Sequence, residues 1–257
     1  MPRRALIIGL GLIGGSAGIA LRSRGWRVGY DDPNVPLDAA RAAGAADEGT
    51  IASPDVVLLA TPVDVAMDVV GQIERSTAED RPTLTSACSV MRPLRSVAGA
   101  HFVAGHPLAG SHLRGLAAAR GDLFEGKPWF LDAEDEGVDA MVRDCGAVIE
   151  RTSAEEHDAA MALTSHLPQI LSTALAAYLH DRPGLQRFAG SGLRTFLRLA
   201  GSDASVWAPV IAANRDHLAP QAEQLAALVR ELIERDPREA FEKAQAVWRA
   251  LEEKSRP

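Results

Sequence analysis

A glycine-rich segment near the N-terminus constrains the fold of this chain more than any other feature. The apolar run of residues 5–10 leads into Gly-Leu-Gly-Leu-Ile-Gly-Gly-Ser at residues 9–16, and an alanine- and leucine-rich stretch continues to about Arg24. A buried strand, a glycine turn and a helix N-terminus in this order are typical of a dinucleotide site, because the backbone can approach a pyrophosphate that the helix N–H groups and dipole hold. An ordinary tight turn is the alternative. The residues predicted to bind the cofactor here are Gly9, Gly11, Leu12, Ile13 and Gly14.

The second predicted strand indicates which dinucleotide binds. Residues 26–30 fit a second strand, which is followed by Asp31 and Asp32 at the expected distance beyond the glycines. A carboxylate at this position accepts hydrogen bonds from the adenosine ribose hydroxyls and repels a 2′-phosphate. The sequence therefore favours NAD, while the nearby Arg41 leaves NADP open.

Strand-like and helix-like segments alternate through residues 1–152. Further strands are predicted at 55–60, 83–87, 101–104, 129–132 and 147–151, and helices at 37–43, 65–76 and 138–145. This alternation predicts an α/β Rossmann-type domain with a doubly wound parallel sheet, in which ligands bind at the carboxyl ends of the strands. Thr61, Pro62, Ser89 and His106 all follow predicted strands, so we expect them to flank the cofactor.

Residues 153–257 are predicted to form an all-α domain. Strand-like runs stop near Ser153, and segments with apolar residues at helical spacing replace them. Residues 154–180 fit two helices, or one helix kinked at Pro168. The apolar stripes of residues 219–235 and 237–253 are wide enough to be shared with another subunit, and packing within one chain is the alternative.

The composition excludes several classes of protein. The chain has 27 basic and 34 acidic residues, a net charge of −7, which argues against a nucleic acid or an anionic membrane as the main partner. Cys88 and Cys145 form neither a metal-binding spacing nor a disulfide framework, as expected in a reducing compartment. The apolar run at the start is too short for a signal peptide or a membrane span. We therefore expect a cytoplasmic protein.

Two further segments carry side chains suited to chemistry. His106 lies in Gly-His-Pro-Leu-Ala-Gly at 105–110, directly after a predicted strand, and an imidazole exchanges protons near neutral pH. A structural histidine is the alternative, but the predicted place at the cofactor crevice favours catalysis. Arg194 and Arg198 are four residues apart, so one helix would present both guanidinium groups on one face. Such a pair suits an acidic substrate, or is an exposed basic face.

Together these segments resemble the prephenate and arogenate dehydrogenases of tyrosine biosynthesis, over nearly the whole chain. The dinucleotide motif is shared by many families, whereas the histidine segment combined with Ser-His-Leu-Pro is more specific. The resemblance rests on the glycine segment at 9–16, Ala-Thr-Pro-Val at 60–63, Gly-His-Pro-Leu-Ala-Gly at 105–110, Asp-Leu-Phe-Glu-Gly at 122–126, His157-Asp158, Thr-Ser-His-Leu-Pro at 164–168, and the glycine–arginine segment ending in Ser202-Asp203 and Trp207.

The resemblance implies an NAD(P)-dependent oxidative decarboxylation by a homodimer that forms through the helical half. Hydride would leave the hydroxyl-bearing ring carbon of prephenate as carbon dioxide departs and the ring becomes aromatic. By resemblance, His106 accepts the hydroxyl proton as a general base, and Ser89 binds the same end of the substrate. Arg198 would bind a substrate carboxylate, and His166 would orient or gate the substrate.

Three positions depart from the family pattern. Met91 stands where many relatives carry a lysine, Gln169 where many carry a second histidine, and Thr195 where an acidic residue is common. Gln169 and Arg194 are predicted to contact substrate, and Gln169 and Thr195 lie near the part of the pocket that would sense its side chain. The ring acid therefore remains open between prephenate, arogenate (with NADP then an option) and a related cyclohexadienyl compound.

Two other classes remain as alternatives. A non-catalytic dinucleotide-sensing protein is disfavoured because His106, Ser89 and Arg198 are all retained. A generic hydroxyacid dehydrogenase or imine reductase with a helical second domain explains the Gly-His-Pro-Leu-Ala-Gly segment less well.

Overall fold

A five-stranded parallel sheet forms the centre of the N-terminal region. The computed structural model describes residues 2–75, 82–110 and 113–254. The strand order is β2-β1-β3-β4-β5, and every pairing in this sheet is parallel. Because β2 and β3 lie on opposite sides of β1, a crevice opens at the carboxyl ends of β1 and β3. The strands are β1 (Arg4–Ile8), β2 (Arg27–Asp31), β3 (Val56–Leu59), β4 (Thr83–Ser86) and β5 (Phe102–Val103).

Helices cover both faces of this sheet. Alternate residues of β3 enter different apolar clusters, with Val56 and Leu58 in one and Val57 and Leu59 in the other. A strand whose two faces are both buried must be apolar at every position, as β3 is. The doubly wound parallel sheet is therefore confirmed. Its helices are α1 (Leu12–Ser23), α2 (Leu37–Ala42), α3 (Val63–Glu74) and α4 (Arg92–Val97); the predicted end of α3 at Ser76 lies outside the described residues.

A second, three-stranded sheet continues the chain. It contains β6 (Gly105–Pro107), β7 (Pro128–Leu131) and β8 (Val148–Arg151), with α5 (Glu136–Asp144) between β7 and β8. β6 runs antiparallel to β7, whereas β7 and β8 are parallel. The sequence predicted these runs as further strands of one parallel sheet, and this detail is wrong. Periodicity identifies strands but carries no information about which sheet they join.

Gly105 is the first residue of β6, so His106 lies within a strand rather than beyond one. Ser86 Oγ donates to the Gly105 carbonyl at 3.1 Å and accepts from the Gly105 N–H at 3.2 Å. A Cβ atom at Gly105 would lie 2.6 Å from the Ser86 carbonyl oxygen, so only glycine permits this approach. The close contact fixes the backbone that precedes His106 against the end of β4.

The helical half begins at Ser153, where the Ser153 hydroxyl and the Glu156 carboxylate form a capping box. The predicted break at Pro168 is instead a π-helical turn, Ala162–His166, between α6 (Ala154–Met161) and α7 (Leu167–His180). Proline lacks the N–H that an α-helix needs, and the wider turn immediately before Pro168 keeps the path continuous.

The remaining helices differ sharply in burial. α9 packs against the first domain, because Val210 joins the apolar cluster beneath α3 and α4. In α11 no described side chain is buried, and the large apolar side chains Phe241, Val247, Trp248 and Leu251 are 61–63% exposed. None of the helices in the described ranges is long and apolar enough to cross a membrane. These elements are α8 (Ser191–Phe196), a 3₁₀ segment (Leu197–Gly201), α9 (Ala204–Ala213), α10 (Arg215–Glu234) and α11 (Arg238–Lys254).

Candidate active site

The glycine turn has the geometry that a pyrophosphate requires. Gly9 has φ = +91°, and a Cβ atom there would lie 2.7 Å from the Ala60 carbonyl oxygen. At Gly14 an added Cβ would lie 1.9 Å from the Gly9 oxygen, so this glycine lets α1 pack close to β1. At Gly11, in contrast, no described atom lies within 4 Å of an added Cβ. The turn is tight towards the sheet and open at the start of the helix.

The N-terminus of α1 is able to hold an anion. Gly11 is the N-cap, no side chain caps the helix among the described residues, and its first turn contains no acidic residue. The N–H groups at the first helical positions, Leu12 and Ile13, therefore stay available, and the helix dipole favours negative charge there. These residues fit the pyrophosphate of a dinucleotide.

Asp31 and Asp32 have different environments at the end of β2. The Asp31 side chain is exposed, and its backbone carbonyl accepts a hydrogen bond from Gly9 N at 2.9 Å. The Asp32 carboxylate accepts from Leu10 N at 2.8 Å and so holds the glycine turn. Sequence analysis missed this role of Asp32. Arg41 Nε donates to the Asp47 carbonyl at 2.9 Å, so this nitrogen already has a partner within the chain.

Thr61 and Pro62 lie between β3 and α3, beside the glycine turn. The Thr61 methyl group lies close to Gly9, because a Cβ atom added at Gly9 would lie 2.8 Å from Thr61 Cγ2. Its hydroxyl is buried and has no hydrogen-bond partner within the described part of the chain. Pro62 is the N-cap of α3. Both residues therefore border the crevice where the sequence predicted them.

His106 is the first member of a hydrogen-bonded chain that crosses from the small sheet to the helical half. Its Nδ1 lies 2.9 Å from His157 Nε2, and His157 Nδ1 lies 2.8 Å from Asp158 Oδ1. His157 and Asp158 are almost completely buried in the middle of α6. The resemblance included both residues without giving them a role, because only the folded chain brings α6 to β6.

The environment keeps the His106 imidazole neutral. Burial, with the nearby imidazoles of His157 and His166, lowers the pKa of His106 to about 3. Among the described residues no hydrogen bond reaches Nε2, whereas Nδ1 is occupied by His157. A neutral imidazole with one nitrogen unengaged is able to accept a proton.

His166 lies in the interior, and its Nε2 has no hydrogen-bond partner within the described part of the chain. It is completely buried, with Nδ1 at 3.1 Å from Asn214 Nδ2 and its ring edge-on to Trp207 at 5.9 Å. Burial lowers the pKa of His166 to about 4, against the opposing effects of the Asp158 carboxylate and the Ser89 backbone. Ser89 itself is half-buried, just beyond β4, as the sequence predicted.

Arg194 and Arg198 do not lie in one α-helix, so the prediction of a single helix that bears both is wrong. Arg194 lies in α8, whereas Arg198 lies in the 3₁₀ segment that follows. The Ser172 hydroxyl explains the change, because it donates to the Phe196 carbonyl at 2.9 Å and accepts from Ala200 N at 3.1 Å. It thus replaces the bond that an α-helix would make between these two groups. Both arginine side chains are exposed, and no described residue forms a hydrogen bond with either guanidinium group.

Gln169 is hydrogen-bonded to the 3₁₀ segment that carries Arg198 and to the residue that follows it. Its amide nitrogen donates to the Leu199 carbonyl at 2.8 Å and to Thr173 Oγ1 at 3.1 Å, and its oxygen accepts from Ser202 Oγ at 3.1 Å. Both N–H donors of the Gln169 amide are therefore used within the chain. A position next to a motif does not reveal such internal partners. Met91, another departure from the family pattern, is completely buried in the core.

Two family models match the sequence. "Prephenate dehydrogenase, nucleotide-binding domain" matches residues 17–155, and "Prephenate dehydrogenase, dimerization domain" matches residues 153–245. Together they cover most of the chain on either side of the capping box at Ser153.

Individual proteins agree with these models. "Probable prephenate dehydrogenase NovF" of Streptomyces niveus is 37% identical over 251 residues, which are 90% of this chain and 68% of that protein. "Cyclohexadienyl dehydrogenase" of Zymomonas mobilis is 28% identical over 88% of this chain and 86% of its own length. The crystal structure of prephenate dehydrogenase from Aquifex aeolicus, in complex with hydroxyphenyl propionate and NAD⁺, superimposes with a TM-score of 0.83 at 30% identity, covering 99% of this chain and 97% of that one.

Proposed function

The chain belongs to the prephenate dehydrogenase family, and from this premise we propose that it converts prephenate and NAD⁺ into 4-hydroxyphenylpyruvate, carbon dioxide and NADH, a step of tyrosine biosynthesis. As a member of this family it is an oxidoreductase. The observation that carries the proposal is the neutral His106 imidazole, hydrogen-bonded to His157 beside the crevice at the ends of the parallel strands.

NAD is the cofactor, and the residues around the crevice fit it. The backbone at Gly11, Leu12 and Ile13 would hold the pyrophosphate, while Gly9 and Gly14 shape the turn. Asp31 would bind the adenosine ribose, and its exposed carboxylate would repel the 2′-phosphate of NADP. Thr61 and Pro62 would flank the bound cofactor. When bound, NAD⁺ supplies a hydride acceptor for the ring carbon that carries the hydroxyl group.

His106 acts on the hydroxyl proton of the substrate. Its Nε2 accepts that proton as the oxygen gains carbonyl character, and returns it once loss of carbon dioxide has made the ring aromatic. Ser89 would hydrogen-bond to the same oxygen and hold it near the imidazole. His166, buried behind Ser89, would keep this part of the site in place through Asn214 and Trp207.

The opposite end of the substrate would bind at the arginine segment. Arg198 is exposed and has no hydrogen-bond partner among the described residues, so its guanidinium group is free to take a carboxylate in two parallel hydrogen bonds. Arg194 would add positive charge nearby. Gln169 would contribute indirectly, because its amide is hydrogen-bonded to the Leu199 carbonyl and the Ser202 hydroxyl, just beyond Arg198.

A second candidate substrate is arogenate or another cyclohexadienyl acid, which carries an amino group in place of the keto group. The Zymomonas mobilis relative is named a cyclohexadienyl dehydrogenase. Gln169 and Thr195 are both uncharged, so neither residue selects for or against an ammonium group by its charge.

We also propose that two copies associate through the helical half. Leu228, Val229 and Ile233 of α10 are 44–80% exposed, and the apolar side chains of α11 are exposed as well. Apolar surface of this extent is typical of an interface. On this division, residues 1–152 bind the dinucleotide, and residues 153–257 bind substrate and the second copy.

A single assay tests the proposed activity. Purified protein is mixed with prephenate or arogenate, each with NAD⁺ or NADP⁺, and the absorbance of the reduced cofactor is followed. We expect the highest kcat/KM with prephenate and NAD⁺. A preference for arogenate would select the second candidate, and no turnover of either acid would refute both.

A further inference from the structure

We propose that His157 and Asp158 are positioning residues that hold His106 in the tautomer with its proton on Nδ1. The structure places the three side chains in one hydrogen-bonded chain, and the chemistry of its far end decides the proton positions along it. The role of His106 as a base rests on the proposed function, whereas the proton positions along the chain follow from the hydrogen bonds alone.

The Asp158 carboxylate defines the direction of the chain. It is completely buried and accepts hydrogen bonds from Met91 N at 2.8 Å and Arg92 N at 2.9 Å, with Arg92 Nε at 3.7 Å. Every neighbour in this set is a donor, and an ionised carboxylate can only accept. The proton between Asp158 and His157 must therefore lie on His157 Nδ1.

The second link follows from the first. A neutral imidazole carries one proton, so a proton on His157 Nδ1 leaves Nε2 as an acceptor. The atom opposite this acceptor is His106 Nδ1 at 2.9 Å, and the two rings meet edge to face at 87°. His106 must donate from Nδ1, and its Nε2 then carries the lone pair. Phe130 packs against the His157 ring at 5.6 Å and helps to hold its plane.

This arrangement prepares His106 for its task. A base that takes the hydroxyl proton needs an unprotonated nitrogen before the reaction, and a positive charge forms on its ring when the proton arrives. The Asp158 carboxylate, acting through His157, can stabilise that imidazolium. A carboxylate that fixes the tautomer of a catalytic histidine is a known device, and here a second imidazole stands between the two.

The proton positions can be measured without substrate. In ¹⁵N-labelled protein near pH 7, long-range ¹H–¹⁵N spectra of the imidazole rings distinguish a protonated from an unprotonated nitrogen, and His106→Asn identifies the His106 signals. We expect His106 to carry its proton on Nδ1. In His157→Phe the acceptor is lost, so the proton should redistribute towards Nε2. In His157→Gln the amide oxygen can still accept from Nδ1, so the tautomer should be largely restored.

Kinetics with prephenate and NAD⁺ supply the second readout. We expect kcat to fall about 10²-fold in His157→Phe with KM nearly unchanged, and to recover partly in His157→Gln. His101→Phe replaces an exposed histidine outside the site and should leave both readouts unchanged. If His157→Phe does not fold, His157→Gln and the wild-type spectra still decide.

Two results would overturn the proposal. One is a proton on Nε2 of His106 in the wild-type protein, and the other is a His157→Phe enzyme with unchanged tautomer and unchanged kcat. Absence of turnover by the wild-type protein would refute the proposed function instead, and the spectra would still test the hydrogen-bonded chain.

Discussion

The two ends of the candidate site are built in opposite ways. At the histidine end, His106 is held by His157, which is held in turn by Asp158; both are buried residues of α6, and the Asp158 carboxylate also accepts from Met91 N at the start of α4. At the arginine end, Arg198 is exposed on a short 3₁₀ segment, with no hydrogen-bond partner in the described ranges. The difference indicates that the reacting end is assembled by one chain before substrate arrives. On the proposed function, the recognition end gains its partner only when a carboxylate binds.

Loss of the exposed guanidinium group should test the recognition end. Arg198→Ala should raise KM for prephenate about 30-fold, because a charged hydrogen bond of about 2 kcal/mol is removed, while kcat stays within a few-fold of wild type. Steady-state kinetics at saturating NAD⁺ give both values. Arg187→Ala removes an exposed arginine from the 3₁₀ turn that precedes α8, and should change neither KM nor kcat. An unchanged KM in Arg198→Ala would contradict the role of this arginine.

Cofactor selection should depend on one carboxylate at the end of β2. Asp31→Ala should raise KM for NAD⁺ about tenfold, since the adenosine ribose loses a hydrogen-bond acceptor. The preference for NAD⁺ over NADP⁺ should also become smaller, because the carboxylate that repels the 2′-phosphate is gone. KM for prephenate should not change. Asp38→Ala, an exposed carboxylate at the start of α2, is the control. A tenfold change in KM for prephenate would mean that the cofactor site and the substrate site are coupled.

The smallest effect on KM should come from Ser172, whose hydroxyl holds the backbone on either side of Arg198. Ser172→Ala leaves the Phe196 carbonyl and the Ala200 N–H without their shared partner. We expect the free energy of unfolding to fall by about 1–2 kcal/mol and KM for prephenate to rise about threefold, with kcat unchanged. Urea denaturation and the same assay measure these. Ser96→Ala removes an exposed hydroxyl that donates to the Pro93 carbonyl of its own helix, and should have little effect.

Sequence patterns predicted the two ends unequally. The glycine turn, Asp31 and the strand ends were accessible because their chemistry depends on local order: strand, turn, helix and the length of the next strand. His106 was found for the same reason. The hydrogen-bonded chain to Asp158 was not, since residues 106 and 157 meet only through the packing of α6 against the small sheet.

The recognition end was harder to predict for a related reason. Two residues four apart lie on one helix face only while the helix remains α-helical. Here the Ser172 hydroxyl, which belongs to α7, binds the Phe196 carbonyl, and the α-helix gives way to a 3₁₀ segment after Phe196. The internal partners of Gln169, Leu199 and Ser202, are about thirty residues further along the chain. Side chains that interrupt or support a distant backbone leave no local pattern.

The replacement of His106 tests the central claim most directly. In His106→Asn, measured with saturating prephenate and NAD⁺, kcat should fall by about 10²–10⁴-fold, as loss of a general base predicts, while NAD⁺ binding followed by fluorescence titration stays within about twofold of wild type. His101→Asn should behave as wild type. A kcat for His106→Asn within a few-fold of the wild-type value would show that this histidine is not the base.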